Sequence, residues 1–325
     1  MNNMNHPLHA PSSELLDESD RQFKERVRFT YSAKALRRLE QMASIYVIHP
    51  DAKLALAQLD RAYQLAGVAK ASQSVAVLGP TGAGKTELIK YFLGTLPRET
   101  LIDKSPPAMV VRLQARPAAG WMVSTLLRRV GYPFSTVSDR QFYTKRDHLI
   151  EALRNKKCKL LVIDEAHHLA TAANTRDLRR IGTNVTDVLK ELVDELGLML
   201  VLCGDDVGLQ DVLNQDTHLR GRAPNTIRLK DFQNGRDWNG VVAKYVKHVP
   251  EISFEALMTS KELNLMREAT GGNQRNLKWF LTEVVMICVD ENCSVVERHH
   301  LCLAYDRLFG KHAFRANPYG SLDHA

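Results

Sequence analysis

The segment that most constrains this chain is Gly79 to Thr86, with the sequence GPTGAGKT. It matches the pattern GxxxxGK[ST], follows an apolar stretch at 74–78 and precedes a helical pattern at 87–96. In such a loop the glycines let backbone N–H groups surround phosphate oxygens, and the start of the next helix adds partial positive charge. The order of strand, glycine loop and helix therefore predicts a nucleoside triphosphate site.

The residues of this loop have distinct expected roles. Lys85 is expected to contact the β- and γ-phosphates, and the Thr86 hydroxyl is expected to ligate Mg²⁺. ATP and Mg²⁺ are therefore the predicted cofactors. The other predicted members of the ATP site are Gly79, Pro80, Thr81, Gly82, Ala83, Gly84 and Glu87.

A pair of carboxylates ends a second apolar stretch, KLLVIDE at 159–165. A buried strand would deliver Asp164 to the sheet edge as a magnesium ligand, and Glu165 would orient or deprotonate the attacking water. The pair predicts hydrolysis as well as binding. Asp164 to His167 also spells DEAH, a helicase motif, but such helicases need a second sheet domain, and the residues that follow have a mostly helical pattern.

Apolar stretches and helical patterns alternate through the middle of the chain. Strands are predicted at 74–79, 108–115, 159–165 and 196–204. Continuous apolar strands between helices are typical of a parallel sheet covered on both faces. We therefore predict an α/β nucleotide-binding domain at 71–233, a P-loop NTPase fold with a parallel sheet flanked by helices.

The flanking segments are predicted to be helical or loose. Residues 21–70 form an N-terminal helical arm whose two helices are broken near Pro50. Residues 234–310 carry apolar side chains at helical spacing and are expected to form a small C-terminal all-helical lid. Residues 1–20 and 311–325 are polar and are expected to be flexible tails.

Charge and composition bear on partners and location. The net charge of +7 and the pI of about 9.1 favour an acidic partner, with nucleic acid ahead of a membrane surface. Neither a signal peptide nor a stretch of ~18 apolar residues is present. The five cysteines lack zinc-type spacing and are expected to be buried thiols. We expect a cytoplasmic, DNA-associated protein without a membrane partner.

Several basic clusters are suited to the phosphates of duplex DNA, although a solvated helix face is the alternative interpretation of any one of them. Without a zinc finger or helix-turn-helix signature, DNA binding is expected to be backbone-directed and non-specific. The clusters are Arg128-Arg129, Lys145-Arg146, Lys156-Lys157, and Arg176 with Arg179-Arg180.

Three arginines are placed to complete a nucleotide site. Arg220 and Arg222 follow the fourth predicted strand and its helix, where an arginine can reach a neighbouring subunit's γ-phosphate as an arginine finger. Arg275, in the segment GGNQR, begins the longest predicted lid helix and is expected to touch the nucleotide from the lid side.

This order of motifs resembles that of AAA+ ATPases. Within that superfamily the chain is similar to the TniB/TnsC-like regulators of DNA transposition, over about residues 25 to 310. The narrower resemblance rests on the segments Val27-Arg-Phe-Thr-Tyr31 and Asp164-Glu-Ala-His-His-Leu169, and on Leu219 before the two arginines.

The resemblance implies an AAA+ ATPase that acts as a regulatory switch. Such a protein assembles with ATP into homo-oligomeric rings or filaments on duplex DNA and couples target-site selection to transposase recruitment, with a transposase and a target-selector protein as partners. It implies that Lys85, Thr86, Asp164 and Glu165 carry the nucleotide chemistry. Arg222 is then the arginine finger, with Arg220 second, and Arg275 is sensor 2.

One position departs from the pattern of that superfamily. Sensor 1 is often Asn, Ser or Thr, whereas Asp205 stands in its place here, and an acid would repel the γ-phosphate unless it is turned away. Two other functions stay open at this point. One is an initiator- or loader-type ATPase of DNA replication, and the other is a nucleotide-gated protein scaffold that does not bind DNA.

Overall fold

The computed structural model describes residues 31–66, 68, 74–96, 108–132, 141–169, 184–310 and 316–320. The predicted tail at 1–20, most of the tail at 311–325, Val27 to Thr30 and the basic cluster of Arg176, Arg179 and Arg180 lie outside these residues. Within the described ranges, no helix has both the length and the apolar character needed to cross a membrane.

Five parallel strands form one sheet in the order β2-β3-β4-β1-β5. β4 is inserted between β1, which leads into the glycine loop, and β3, which ends in the acidic pair. The strands are β1 (Val75–Leu78), β2 (Ala108–Arg112), β3 (Leu160–Asp164), β4 (Met199–Gly204) and β5 (Asn225–Arg228).

Twelve α-helices lie in the described part of the chain, with one 3₁₀ turn at Glu255–Leu257. They are α1 (Ala33–Ser44), α2 (Pro50–Leu65), α3 (Lys85–Thr95), α4 (Ala119–Arg129), α5 (Phe142–Asn155), α6 (Val185–Leu196), α7 (Asp206–Gln215), α8 (Thr217–Arg222), α9 (Arg236–Val246), α10 (Ser260–Thr270), α11 (Gln274–Asp290) and α12 (Arg298–Phe309).

The strands bury alternate residues on the two faces of the sheet, because side chains alternate along a strand. Ala76 and Leu78 face a core that includes residues of α4, α5, α6 and α7. Val75 and Val77 face a second core, built with residues of α2 and α3. This double burial explains why β1, β3 and β4 are continuous apolar stretches, and it confirms the predicted parallel sheet flanked by helices.

The four strands predicted from the sequence are present, with shorter bounds at their ends. The fourth begins at Met199 rather than at residue 196, because α6 continues to Leu196 and ends at Gly197, whose φ is 62°. The predicted break near Pro50 is confirmed, since Pro50 is the first residue of α2 and His49 caps that helix. The fifth strand, β5, was not predicted.

Two compact units divide the chain. One contains Tyr46–Lys247 and Met258–Lys278, and it holds the sheet, α2 to α10 and the first turn of α11. The other contains Met1–Ile45, His248–Leu257 and Trp279–Ala325. Compactness does not by itself define a functional domain, so the predicted boundaries at 20, 70, 233 and 310 stay predictions.

Candidate nucleotide-binding site

The loop between β1 and α3 has the conformation that its glycines allow. Gly82 and Gly84 have φ angles of 85° and 91°, in the left-handed region that favours glycine. A Cβ atom on Gly82 would overlap the side-chain amide of Asn273, and one on Gly84 would overlap that of Gln274. Both glycines are therefore needed for the turn and for the close approach of another segment.

The remaining loop residues lie where the sequence places them. The Lys85 ammonium donates to the carbonyl oxygens of Gly79 (2.6 Å) and Pro80 (3.1 Å), so it lies over the loop. Glu87 is in the first turn of α3 and pairs with Lys90 at 2.8 Å. Thr81 and Ala83 complete the loop, and Ala83 is buried.

The structure brings Thr86, in the first turn of α3, together with Asp164, the last residue of β3. The Thr86 hydroxyl donates to Asp164 Oδ2 at 3.2 Å, and Asp164 Oδ1 accepts the backbone N–H of Glu165 at 3.0 Å. A hydroxyl and a carboxylate supply the hard oxygen ligands that Mg²⁺ prefers. These residues therefore fit the predicted metal.

Two basic side chains lie beside the Glu165 carboxylate, and its backbone is in an unusual conformation. Its φ of 56° is left-handed, which costs about 1–2 kcal/mol for a residue with a Cβ. Its Oε1 accepts from Arg112 Nη2 at 3.2 Å, and its Oε2 lies 3.4 Å from His167 Nδ1. Arg112, at the end of β2, pairs in register with Asp164. Arg112 carries no signal in the sequence, because its position beside Glu165 depends on β2 lying next to β3.

Asp205 is turned to cap a helix. It is the N-cap of α7, and its Oδ1 accepts the backbone N–H of Gly208 at 2.7 Å. Its Oδ2 lies 3.1 Å from His167 Nδ1. The Asp205 carboxylate is therefore engaged by a helix N-terminus, where negative charge is favourable, and its place as sensor 1 stays a prediction. Cys203 lies on β4, two residues before Asp205; it is fully buried, and burial raises the pKa of its thiol.

The GGNQR segment contacts the phosphate loop directly. The backbone N–H of Arg275 donates to Gly82 O at 3.0 Å, and the Asn273 amide donates to Thr81 O at 3.0 Å and to Asp231 Oδ1 at 2.9 Å. The structure thus places the backbone of Arg275 beside the loop, and the contact of its side chain with nucleotide stays a prediction. Asn273 and Asp231 were missed, although the glycine pair before Asn273 signals a tight turn.

The two arginines of α8 differ in their surroundings. Arg222 forms two hydrogen bonds with Asp194, 2.9 Å from Nε and 2.5 Å from Nη2, and a third with His218 O. The bond to Asp194 raises the pKa of the Arg222 guanidinium. Arg220 is exposed, and within the described ranges its side chain has no ion pair or hydrogen bond. The structure therefore leaves Arg220, rather than Arg222, available for a neighbouring molecule.

The described basic clusters are partly engaged. Arg128 and Arg129 are exposed at the end of α4. Arg146 pairs with Glu191 at 3.1 Å and with Asp147 at 2.8 Å. Lys157 is exposed and Lys156 half-buried. DNA contacts by these residues stay predictions.

Comparison with known structures supports the fold. The ORC1 protein of Aeropyrum pernix in complex with DNA matches with a TM-score of 0.59 at 16% identity, over 82% of this chain and 67% of that one. The Pyrobaculum aerophilum Cdc6p matches with a TM-score of 0.57 at 18% identity, over 82% and 69%. The Aeropyrum pernix ORC2 protein in ADPNP–ADP complexes matches with a TM-score of 0.59 at 13% identity, over 82% and 71%.

Sequence comparison identifies the family. No curated protein sequence matches the chain. The family profile of the bacterial TniB protein, however, matches residues 37–233, which is more than half of the 325 residues. That range contains the glycine loop, the acidic pair and both arginines of α8. The chain therefore belongs to the bacterial TniB family and has the AAA+ fold of a P-loop NTPase.

Proposed function

We propose that this chain binds ATP with Mg²⁺ and hydrolyses it. The observation that carries the proposal is the convergence of Lys85, Thr86, Asp164 and Glu165 at the carboxyl ends of β1 and β3. In parallel α/β sheets, ligands bind at this edge. The Aeropyrum pernix ORC2 protein, which is 13% identical and shares this fold, was solved in ADPNP–ADP complexes, and this supports nucleotide binding.

The residues have separate tasks in the proposed reaction. Lys85 and the loop N–H groups hold the phosphates, and Arg275 approaches from the GGNQR segment. Thr86 and Asp164 would hold Mg²⁺, which supplies charge neutralisation to the phosphates when bound. Glu165 accepts a proton from the attacking water, and Arg112 Nη2, 3.2 Å from its Oε1, helps to orient the carboxylate.

We further propose that the active site is completed by a second subunit and that Arg220 is its arginine finger. Arg222 is bound to Asp194 within its own chain, whereas Arg220 is exposed. An arginine finger stabilises charge on the transferred phosphoryl group and contributes about 10³–10⁵-fold to the rate. Arg222 stays the alternative if it exchanges Asp194 for a neighbour's phosphate.

The two arginines give a matched pair of substitutions. Arg220→Ala is expected to lower kcat for ATP hydrolysis by about 10³-fold while nucleotide affinity is retained. Arg222→Ala is expected to act on α8 through the lost Asp194 pair, with a loss of thermal stability and a smaller change in kcat. Steady-state kinetics at protein concentrations that allow oligomers measures both. Full activity of the Arg220 variant with loss in the Arg222 variant would reverse the assignment.

We propose that ATP-dependent assembly occurs on duplex DNA and serves transposition. Membership in the TniB family supports the link to transposition, and the net charge of +7 supports a polyanionic partner. In this proposal ATP binding permits assembly, hydrolysis ends it, and the assembled protein recruits a transposase at a site chosen by a target-selector protein.

Fluorescence anisotropy of a labelled duplex tests the DNA step. With a non-hydrolysable ATP analogue, binding is expected to weaken as salt rises, with a slope on logarithmic axes of about −0.9 for each phosphate contacted. Two duplexes of different sequence should bind alike. DNA binding that does not depend on nucleotide would contradict the proposed coupling of ATP to assembly. Absence of DNA binding at low salt would contradict the proposal and favour the scaffold that does not bind DNA.

An initiator- or loader-type ATPase is the second candidate, because the ORC1 and Cdc6p structures share this fold. Their identity of 16% and 18% shows the fold alone, whereas the sequence profile points to TniB. The two functions differ in the protein that is recruited. Retention of the family's transposase on DNA only when this chain and ATP are present would favour transposition, and retention of a replicative helicase would favour the alternative.

A further inference from the structure

The imidazole of His167 lies between two carboxylates that belong to different elements. Its Nδ1 is 3.1 Å from Asp205 Oδ2 and 3.4 Å from Glu165 Oε2. The Nδ1 atom is buried, and it has no hydrogen-bond partner in the part of the chain that the structure describes. A buried polar atom in that position normally has a partner, because leaving it without one is costly.

The pocket around His167 is shaped by two glycines. A Cβ atom on Gly208 would lie 2.8 Å from the Cβ of His167, and one on Gly204 would lie 3.2 Å from its backbone nitrogen. Neither glycine has a left-handed φ, so space is the reason that a larger residue would not fit. The ring also packs on His168, with centroids 4.3 Å apart. The position of His167 is therefore enforced by its surroundings.

One N–H group faces two acceptors in this arrangement. Nδ1 carries at most one hydrogen, and a small rotation of the ring directs it to Glu165 or to Asp205, but not to both. We propose that His167 is a positioning residue that couples the orientation of the Glu165 carboxylate to the start of α7. The inference rests on the proposed role of Glu165 in hydrolysis and adds a regulatory connection to that same site.

Helices α7 and α8 link Asp205 to Arg220. Asp205 caps α7, and Asp216 both ends α7 and caps α8 through the Leu219 N–H at 2.9 Å. Lys190 holds Asp216 at 3.1 Å. Helices α7 and α8 therefore form one continuous segment from Asp205 to the arginines of α8. A neighbouring subunit that binds Arg220 would contact the same segment whose first residue, Asp205, lies beside His167.

Substitutions at position 167 separate positioning from simple packing. Asparagine places an N–H donor near the position of Nδ1, whereas glutamine places it near that of Nε2. His167→Asn is expected to keep kcat within about threefold of the unchanged chain, and His167→Gln and His167→Ala are expected to lower it about tenfold, with KM unchanged. ATP affinity and thermal stability are measured on the same samples.

A double-mutant cycle tests the coupling to α7. Asp205→Asn keeps a good N-cap but removes the charged acceptor. The variant with His167→Ala and Asp205→Asn together should be no slower than His167→Ala alone, because both changes break the same connection. The inference would be overturned if the decrease in kcat of the double variant equalled the product of the decreases in the two single variants. It would also be overturned if His167→Ala left kcat unchanged. Equal losses in the Asn and Gln variants at position 167 would overturn it as well.

Substitutions at two glycines give an independent test of the position of His167. Gly208→Ala pushes on both partners of the connection, because the new Cβ would lie 2.8 Å from the His167 Cβ and 2.9 Å from Asp205 Oδ2, and it is expected to lower kcat. Gly94→Ala in α3, where a Cβ atom meets nothing within 4 Å, is expected to leave kcat unchanged. Unchanged kcat in the Gly208 variant would count against the enforced position of His167. ATP hydrolysis by the unchanged chain is measured first, before any variant is made. If the unchanged chain does not hydrolyse ATP, the proposed function is wrong and this inference falls with it.

Discussion

Replacing Glu165 by glutamine is expected to lower kcat for ATP hydrolysis by about 10²–10⁴-fold, the usual contribution of a general base, while ATP binding is retained. The amide keeps the size of the side chain, and its oxygen still accepts from Arg112, which lies 3.2 Å away. It cannot take a proton from water at neutral pH. Because hydrolysis is proposed as the release step, the variant is also expected to stay assembled in ATP.

For this variant, steady-state hydrolysis gives kcat, and titration with a fluorescent ATP analogue gives the Kd for nucleotide. Glu151→Gln is the matched control, because Glu151 is an exposed residue of α5 outside the site and should behave as the unchanged chain. Hydrolysis at the unchanged rate in the Glu165 variant would show that another group accepts the proton. Loss of ATP binding instead would mean that Glu165 supports the shape of the site.

Replacing Lys85 by alanine is expected to weaken ATP binding by about 10- to 100-fold and to abolish nucleotide-dependent assembly. Hydrogen bonds between charged groups contribute about 1.5–3 kcal/mol, and no other described side chain of the loop carries a positive charge. The change also removes the bonds from Lys85 to Gly79 O and Pro80 O, so the loop loses part of its internal support.

Lys90→Ala is the control for this second variant. Lys90 lies on the same helix, is exposed and pairs only at the surface with Glu87 at 2.8 Å, an interaction worth about 0–1 kcal/mol. Titration with the fluorescent ATP analogue should therefore separate the two lysines by at least tenfold in Kd. Equal affinities would contradict the assignment of Lys85 to the phosphates.

The sequence predicts the buried strands well because their apolar side chains are needed on both faces of the sheet. β1 and β4 are buried along their whole length, which leaves a continuous apolar stretch. β5 is different, since among the described strands it pairs with β1 alone, at the edge of the sheet, and it buries only Ile227 of its four residues. A sequence such as NTIR carries neither an apolar run nor an alternation long enough to predict a strand.

The site was predictable where its residues are close in sequence. Lys85 and Thr86 follow from one motif, and Asp164 from the strand that ends there. The Asn273 amide, by contrast, reaches Thr81 across 192 residues, and the Arg222 guanidinium reaches Asp194 across 28. The pairing with Asp194 changes which arginine is preferred as the finger. Contacts of this kind depend on tertiary packing and leave no local pattern.

Electron microscopy of the full chain tests the central claim most directly, that ATP binding at this loop drives assembly on duplex DNA. The protein is imaged at low salt with a non-hydrolysable ATP analogue, with and without a duplex, beside the Lys85→Ala variant. We expect rings or filaments that encircle DNA for the unchanged chain and none for the variant. Particles that stay monomeric with both ligands, or assemblies that form equally without nucleotide, would contradict the account.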